Sequence, residues 1–497
     1  MRVGVLLRVL LALALVAAGP AAAQKGAPDK PPARSDNSPG LLRLLPADSV
    51  TEHTIDTAQG KLAYTATAGT LAFFSQSGER SASVFYVAYV AKDPGPNRPV
   101  TFIFNGGPGA ASAFLNLGLV GPRVLDFGPG ARDAALAKLV DNPDTWLRFT
   151  DLVLIDPVGT GWSRAAKAED AKHFWNVRSD ADAMAKAVAL YVAKNNRDAS
   201  PKYLFGESYG GLRAAKTARA LQRDQGILIN GIVMLSPLLE GWLTFGNDSS
   251  ALHAALTLPS LAAAALERRD ALTPAALAEA EKFAMTDYLT TLAGPAPKGP
   301  AAKAFYERVA QVSGLPLDAV TQQRGFITGD YVKALRGAKI VSRYDATFAV
   351  DDPFPEDRAG HAPDPILDGV ARAYGGAFVA YARSELGFKT EITYQLLAND
   401  VTREWDWQNG RGSVSAEPEL RVLLSFSPSF RVLVAHGYSD LVTPYGATRY
   451  VIDHMPPFDP PGRIALKLYR GGHMLYLDPA SRKAFSTDAA AFYRGAE

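Results

Sequence analysis

The segment GESYGG, residues 206–211, constrains the fold of this chain more than any other part of the sequence. It directly follows an apolar run at 202–205 and directly precedes a segment with helical spacing of apolar residues at 209–222. A Gly-x-Ser-x-Gly turn between a strand and a helix is very tight, and its glycines let the two backbones pass closely. The hydroxyl of Ser208 is then presented above the sheet, near a helix N-terminus. The context predicts Ser208 as a nucleophile, with a purely structural turn as the alternative.

Further apolar runs alternate with helical segments along the chain. Continuous apolar strands separated by helices are typical of a mostly parallel sheet that is buried on both faces, so we predict an α/β fold. The segment 41–93 is β-rich instead, and alanine-rich helical segments dominate 240–389. We predict a first core part at 41–239, a helical insertion at 240–389 and a second core part at 390–497. The predicted core strands fall at 99–104, 151–156, 202–205, 229–235, 431–437 and 463–469.

The N-terminus has the pattern of an export signal. Two arginines and no acidic residue accompany an apolar run at 9–18, and small residues follow at 21–23. This order predicts a cleavable signal peptide, residues 1–23, with cleavage after Ala23. A membrane anchor is the alternative, but a span needs ~20 apolar residues. Residues 24–40, rich in Pro, Gly and charge, predict a flexible leader. We therefore expect a periplasmic or secreted protein without a stable membrane anchor.

Composition excludes several kinds of site. The 497 residues include no cysteine, so disulfides, thiolate nucleophiles and cysteine-ligated metals are ruled out. Lys and Arg number 52 against 50 Asp and Glu, and Arg2 and Arg8 of the predicted signal account for the difference of two. A neutral mature chain argues against a broad basic surface for nucleic acid. Neither an HExxH motif nor a dinucleotide fingerprint is present, so no metal and no cofactor are expected.

A serine nucleophile needs a base, and the base needs an acid to orient it. With this kind of turn the chain order is Ser, then Asp or Glu, then His, each partner following a late strand. Asp440 follows the strand at 431–437, and His473 follows the strand at 463–469 in a glycine-preceded loop. We predict Asp440 as the acid and His473 as the base. The alternative for His473 is a hydrogen-bonded loop histidine.

An acyl-transfer site also needs N–H donors for the developing oxyanion. One is expected from Tyr209, the residue after the nucleophile, and the other from a loop after an early strand. The loop NGGPG, residues 105–109, follows the strand at 99–104 and fits that place. A plain glycine-proline turn is one alternative; a phosphate loop is another, but its GxxxxGK[ST] pattern is absent.

Together these segments resemble the serine carboxypeptidase family, and specifically its cysteine-poor, exported bacterial members. The resemblance covers about 95–240 and 395–495, the core on both sides of the insertion. It rests on NGGPGAAS (105–112), LVGPR (119–123), DNPDTW (141–146), DLVLIDPVGTGWS (151–163), GESYGG (206–211), HGYSDLVTP (436–444) and GGHMLYLD (471–478).

The resemblance implies an α/β-hydrolase fold with a helical cap and hydrolysis of C-terminal peptide bonds. The expected partners of the protein are peptides with a free C-terminus, and no binding of nucleic acid is expected. The residues it implies, by role, are the triad Ser208, Asp440 and His473, the oxyanion amides of Gly107 and Tyr209, and the receptors of the substrate carboxylate, Asn105 and Glu207.

The chain departs from better-known members at three positions. Ala110 stands where they have a cysteine, and Ile103 where they have a tryptophan. Leu119 stands where they have a glutamate that pairs with the equivalent of Glu207, which weakens the expected carboxylate clamp. Arg123 is a candidate replacement charge.

Three alternatives stay open at this point. An esterase or acyltransferase would use the same acyl-enzyme chemistry. A proline-releasing aminopeptidase also carries a GGPG turn, but usually with His where this chain has Asn105. An inactive, ligand-binding relative would typically have lost one of the three triad residues.

Overall fold

The structure is a computed structural model and describes residues 40–495 except 58, 93–94, 96, 129–132, 247–248, 328–338 and 357–362. The predicted signal peptide, 1–23, and the predicted leader, 24–40, lie outside the described residues apart from Gly40. None of the helices in the described ranges is long and apolar enough to cross a membrane.

A ten-stranded sheet forms the centre of the molecule. Its strand order is β1-β2-β3-β7-β4-β9-β10-β13-β14, with β8 paired to β3. The strands are β1 (Ser49–Thr57), β2 (Gly60–Phe74), β3 (Arg80–Ala91), β4 (Val100–Phe104), β5 (Arg123–Asp126), β6 (Lys138–Asp141), β7 (Asp151–Ile155), β8 (Arg164–Ala165), β9 (Lys202–Glu207), β10 (Gly231–Leu235), β11 (Lys339–Val341), β12 (Ala349–Asp351), β13 (Arg431–Gly437) and β14 (Ile464–Tyr469).

The strands from β7 to β14 in this order run parallel to their neighbours. The β-rich segment near the N-terminus forms β1, β2 and β3, which pair antiparallel and join the sheet through β7. Two hairpins, β5–β6 and β11–β12, lie outside the sheet. The predicted α/β class with a mostly parallel central sheet is confirmed.

Some helices cover the two faces of the sheet, and others lie in the insertion between β10 and β13. The helices are α1 (Ala113–Leu115), α2 (Val177–Lys194), α3 (Tyr209–Ala220), α4 (Gly241–Thr244), α5 (Ala251–Glu267), α6 (Pro274–Phe283), α7 (Leu289–Ala293), α8 (Gly299–Ser313), α9 (Leu317–Gln322), α10 (Ala373–Ser384), α11 (Asn399–Glu404), α12 (Glu417–Phe426), α13 (Tyr445–Asp453) and α14 (Pro479–Arg494). Shorter turns of helix lie at Gly40–Leu44, Asn116–Val120, Ala134–Leu136, Trp146–Arg148, Ala168–Phe174, Leu221–Gln225, Ala284–Tyr288, Pro365–Val370, Arg411–Ser413 and Leu475–Leu477.

The continuous apolar runs are explained by this two-sided burial. Phe102 and Phe104 of β4 join one apolar cluster with residues of α2 and α3. Ile103, between them, joins the opposite cluster with Phe485 of α14. Because successive strand residues point to opposite faces, both sets must be apolar.

Residues 236–430 separate β10 from β13, and the predicted insertion, 240–389, lies within them. It contains α4–α10 and the hairpin β11–β12, an element that the helical pattern did not predict. Residues of α5, α8 and the turn 284–288 form a separate apolar cluster that includes Leu258, Tyr288 and Val309. The limits at 240 and 389 stay predictions.

Four parallel strands end at the same edge of the sheet. Asn105 directly follows β4, and Ser208 directly follows β9. Asp440 and His473 lie three and four residues beyond the ends of β13 and β14. The carboxyl ends of neighbouring parallel strands are where such folds assemble their sites.

Candidate active site

The turn at Ser208 has the strained geometry that its sequence predicts. Ser208 has φ 84° and ψ −120°, in a region that L-residues rarely adopt, and it is the residue before α3. A Cβ on Gly206 would lie 1.8 Å from the carbonyl oxygen of Gly210, so only glycine fits there. The Ser208 N–H donates to Leu235 O at 3.0 Å, and Leu238 N donates to Ser208 O at 3.0 Å. These bonds hold the strained turn against the end of β10.

Asp440 and His473 form a buried hydrogen-bonded pair. His473 Nδ1 lies 2.9 Å from Asp440 Oδ2, and the two residues are 3% and 0% exposed. The other carboxylate oxygen, Asp440 Oδ1, accepts from the N–H groups of Val442, at 2.8 Å, and Thr443, at 3.0 Å. The carboxylate is thereby fixed to orient the imidazole.

The pKa of Asp440 is lowered and that of His473 is raised, as expected for an ion pair. Burial acts to raise the pKa of Asp440, but the charge of His473 and its hydrogen bond outweigh burial and hold that pKa below its ordinary value. Burial acts to lower the pKa of His473, and the charge and hydrogen bond of Asp440 outweigh it and raise that pKa. The pair therefore favours Asp440 ionised and stabilises a protonated imidazole.

A second histidine, His436, also lies near Asp440 but is neutral at pH 7. Its Nδ1 is 4.0 Å from Asp440 Oδ2, and its Nε2 lies 2.9 Å from Thr448 Oγ1. Burial lowers the pKa of His436 to about 4. His473, rather than His436, therefore has the pKa of a base.

One pocket brings together the predicted nucleophile, base, oxyanion donors and carboxylate receptors. Its lining includes six predicted residues and several apolar ones, and Asp440 lies behind His473. Among the described residues no hydrogen bond joins the hydroxyl of Ser208 to His473, so the structure places them in one pocket without pairing them. The six predicted residues that line the pocket are Asn105, Gly107, Glu207, Ser208, Tyr209 and His473.

The glycine loop after β4 lies directly against the nucleophile. A Cβ on Gly106 would be 2.7 Å from the backbone nitrogen of Tyr209 and 2.9 Å from Ser208 Cβ. Gly107 has φ 101°, which favours glycine. Within the described part of the chain, the N–H groups of Gly107 and Tyr209 donate no hydrogen bond to another protein group. Both are therefore free to bind an oxyanion.

Asn105 and Glu207 are buried and bonded to each other. Asn105 Nδ2 donates to Glu207 Oε2 at 2.5 Å, and both side chains line the pocket. The hydroxyl of Tyr476 donates to both oxygens of Glu207, at 3.1 and 3.2 Å. Burial raises the pKa of Glu207 to about 7, although His473, Tyr476 and Asn105 each act to lower it.

Tyr476 is a residue that the sequence analysis missed. It lies three residues after His473 in a 3₁₀ turn, and its ring packs against Gly118, one residue before Leu119. It donates to Glu207, so this chain pairs Glu207 with a neutral phenol. A sequence signal for Tyr476 does exist: it lies in the segment GGHMLYLD, which carries the family resemblance, three residues after His473.

Arg123 has other partners than the pocket. It forms ion pairs with Asp141 and, at 3.2 Å, with Glu385, and the pocket lining does not include it. The suggestion that Arg123 replaces the missing glutamate is wrong. A different arginine lies under the site: Arg213 pairs with Asp180 at 2.7 Å and donates to the backbone oxygen of Asn105.

Two further residues that line the pocket were not predicted. Thr443 Oγ1 lies 2.9 Å from Asp440 Oδ2 and 3.1 Å from His473 Nδ1, three residues after the acid. Tyr344, from the insertion, lines the pocket with its ring edge-on to His473, at a centroid distance of 5.2 Å. No local sequence signal connects position 344 with the histidine.

Part of the chain is similar in sequence to known proteins. Residues 61–239 match the model of the serine carboxypeptidase family. Serine carboxypeptidase-like 50 of Arabidopsis thaliana is 32% identical over 134 residues, which are 26% of this chain and 28% of that protein. The retinoid-inducible serine carboxypeptidase of Mus musculus is 32% identical over 142 residues, 27% of this chain and 28% of that protein. The chain thus matches less than a third of the length of these relatives.

A solved structure extends the likeness of the fold to most of the chain. Kex1(delta)p, a prohormone-processing carboxypeptidase from Saccharomyces cerevisiae, has a TM-score of 0.56 at 15% sequence identity. The superposition covers 87% of this chain and 91% of that chain. The chain therefore has the α/β-hydrolase fold, and its residues 61–239 are similar to the serine carboxypeptidase family, the family that the sequence motifs resemble.

Proposed function

We propose that this protein is a serine carboxypeptidase that releases C-terminal residues from peptides through an acyl-enzyme on Ser208. The observation that carries the proposal is the buried pair of Asn105 and Glu207 in the same pocket as Ser208 and His473. A neutral amide and a carboxyl with a pKa of about 7 are hydrogen-bond donors suited to a substrate carboxylate.

Substrate binding begins at the carboxylate. Asn105 has a second N–H besides the one given to Glu207, and protonated Glu207 has one O–H to donate. A substrate carboxylate beside Glu207 raises the pKa of that residue further by like-charge repulsion, so substrate binds with the proton retained on Glu207. The peptide carbonyl then lies between Ser208 and the N–H groups of Gly107 and Tyr209.

Acylation follows with His473 as general base. Nε2 of His473 takes the proton of Ser208 as Oγ bonds to the carbonyl carbon, and Asp440 stabilises the imidazolium. The oxyanion is bound by the N–H groups of Gly107 and Tyr209. The C–N bond then breaks, and the leaving amine receives the proton from His473. Water then attacks the acyl carbon as His473 takes its proton. The bond from that carbon to Ser208 Oγ breaks, the acid product leaves, and His473 returns the proton to Oγ.

Export is part of the proposal and rests on the signal pattern at 1–23. Expression of the full chain in a bacterial host, followed by N-terminal sequencing of the periplasmic and medium fractions, is the test. A mature N-terminus at Gln24 is expected. Retention of the uncleaved chain in the cytoplasm contradicts export and leaves the catalytic proposal to its own test.

The catalytic test is mass spectrometry of a peptide library before and after incubation with the enzyme. Loss of single C-terminal residues is expected, and it should disappear with Ser208→Ala or with C-terminally amidated peptides. Ser313→Ala, which removes another buried serine hydroxyl far along the chain, is the control and should retain activity.

The same experiment separates the alternatives. Equal cleavage of amidated and free peptides excludes a carboxypeptidase, and release of N-terminal residues indicates an aminopeptidase. Turnover of simple esters without peptide cleavage indicates an esterase or acyltransferase. Absence of Ser208 labelling by a fluorophosphonate probe leaves only a binding function.

A further inference from the structure

A short segment of the insertion crosses the two loops that carry the acid and the base. We call residues 342–347 the strap. Its backbone makes three hydrogen bonds with these loops: His473 N donates to Tyr344 O at 2.6 Å, Leu441 N donates to Arg343 O at 3.1 Å, and Ala346 N donates to Ser439 O at 3.0 Å. The loops after β13 and β14 are therefore bonded to the same few residues, which lie about a hundred positions earlier in the chain.

The loop before His473 is shaped to receive the strap. A Cβ on Gly472 would lie 1.9 Å from Tyr344 O and 2.8 Å from Asp345 Cβ, so a side chain at this position excludes the strap. The ring of Tyr344 meets that of His473 edge-on, with an interplanar angle of 86°. The strap thus contacts the histidine through both its backbone and a side chain.

Asp345 connects the strap to the residue before the acid. Its Oδ1 accepts from Ser439 Oγ at 2.7 Å, from Thr347 Oγ1 at 2.7 Å and from Thr347 N at 2.9 Å. Ser439 is fully buried and directly precedes Asp440. The strap is fixed at its other end, because Asp364 accepts from Ser342 Oγ at 2.7 Å and from Arg343 N at 2.8 Å.

From these contacts we propose that Asp345 and Ser439 are positioning residues, through which the strap holds Asp440 and His473 at hydrogen-bond distance. The inference rests on the proposed function only in taking Ser208 as the nucleophile. Asp440 and His473 lie on different loops, which one backbone bond joins directly, from Ser439 N to Gly471 O at 3.0 Å, and the strap adds bonds to both loops. A catalytic group displaced by ~1 Å loses up to about 10²-fold in rate, so a bond that sets this distance affects kcat.

The test uses Ser439→Ala and Asp345→Ala, singly and combined, in the full chain. Ser439→Ala leaves Asp345 Oδ1 with its two bonds from Thr347, so it removes the link without leaving an orphaned acceptor. We expect kcat to fall about fivefold to tenfold with KM unchanged, because substrate-binding groups are untouched. Fluorophosphonate labelling of Ser208, which needs no knowledge of the substrate, should slow by the same factor.

Conservative and control variants separate positioning from general stability. Asp345→Asn keeps Oδ1 as an acceptor and should retain most of the labelling rate that Asp345→Ala loses. Ser313→Ala removes a buried hydroxyl of the insertion whose partners among the described residues are Val309 O in α8 and Leu315 N, two residues after the helix. It should lower the melting temperature without slowing the labelling of Ser208.

The double variant tests most directly whether Asp345 and Ser439 act together. If the two side chains act as one link, the double variant should label no more slowly than the slower single variant. Multiplying effects in the double variant, or a kcat for Ser439→Ala equal to that of wild type, overturns the proposal. Circular dichroism checks that each variant folds. If Asp345→Ala does not fold, the labelling rates of Ser439→Ala and Asp345→Asn decide the proposal.

Failure of the proposed function gives a different result. A wild-type enzyme that labels at Ser208 but releases no C-terminal residues refutes the carboxypeptidase activity, while the labelling rates of the variants still decide the role of the strap. A wild-type protein that does not label refutes both.

Discussion

Two buried carboxyl groups belong to this site, and their surroundings give them opposite chemistry. Glu207 lines the pocket and is 4% exposed, and Asp440, fully buried, lies behind His473. Burial acts to raise the pKa of both. It prevails at Glu207, whose pKa is about 7, and is outweighed at Asp440, whose pKa is below its ordinary value.

The partners explain the difference. Asp440 faces the imidazole of His473 at 2.9 Å and also accepts two backbone N–H bonds. The hydrogen bonds to Glu207 come from neutral groups, the Asn105 amide and the Tyr476 hydroxyl. One carboxyl is thereby suited to orient a cation, and the other to carry a proton. Pairs of titratable groups with divergent pKa values are a mark of acid and base assignments.

Replacing the ionised carboxyl should have the largest effect. Asp440→Asn removes the charge that stabilises the imidazolium, and kcat should fall by about 10⁴-fold with little change in KM. Steady-state hydrolysis of a free peptide measures this. Asp224→Asn is the matched control, since Asp224 also has a lowered pKa, from exposed Arg223, and should retain activity. A kcat within tenfold of wild type removes the assigned role of Asp440.

Replacing the protonated carboxyl should change pH dependence more than rate. In wild type, KM should rise about tenfold between about pH 6 and about pH 8, because Glu207 loses its proton as pH rises through about 7 and then repels the substrate carboxylate. Glu207→Gln donates an N–H at every pH, so its KM should stay flat.

Glu240→Gln is the control for this experiment. Burial also raises the pKa of Glu240, although a hydrogen bond from Ser415 acts to lower it, and Glu240 does not line the pocket. The variant should keep the KM profile of wild type. A wild-type KM that is constant, or that improves as pH rises, contradicts the role of Glu207.

A smaller effect is expected at the hydroxyl beside the ionised pair. Thr443→Val keeps the shape and removes the hydroxyl near Asp440 and His473, so kcat should fall by about tenfold or less with KM unchanged. Thr217→Val provides the comparison, since Thr217 Oγ1 is buried without a partner among the described residues. Equal kcat in the two variants shows that Thr443 has no part in catalysis.

The smallest effect is expected at the phenol beside Glu207. The hydroxyl of Tyr476 lowers the pKa of Glu207, so Tyr476→Phe raises that pKa and extends the protonated state to higher pH. KM at about pH 8 should therefore decrease about twofold to threefold relative to wild type. Tyr288→Phe, at a buried tyrosine bonded to Gly325 O within the insertion, should leave KM unchanged. An increase in KM for Tyr476→Phe assigns the hydroxyl to substrate binding instead.

The parts of the site that the sequence predicted lie in local motifs. Ser208 between β9 and α3, and Asn105 after β4, depend on a strand and the turn that directly follows it. Hydrophobic periodicity and glycine spacing predict such geometry, because a strand and its turn are encoded by a short stretch of neighbouring residues. Asp440 and His473 were found in the same way, each in the loop after its strand.

The contacts that were missed join distant segments. Tyr476 meets Glu207 across 269 positions, and the strap meets Ser439 across 94. No periodic pattern of residues in the sequence predicts that Tyr476 packs against Gly118. None predicts the hairpin β11–β12 in the insertion either. Arg123 was proposed for the pocket from its position alone, and its ion pairs with Asp141 and Glu385 show why position was insufficient.

The sequence by itself determined the α/β class, the strained turn at Ser208 and the order of acid and base, because strand, turn and helix are encoded by neighbouring residues. Only the tertiary structure decided which carboxyl is ionised, what pairs with Glu207 and what fixes His473 to Asp440. Desolvation and charge act through space, and their strength at Glu207 and Asp440 depends on groups that the chain brings together from segments far apart.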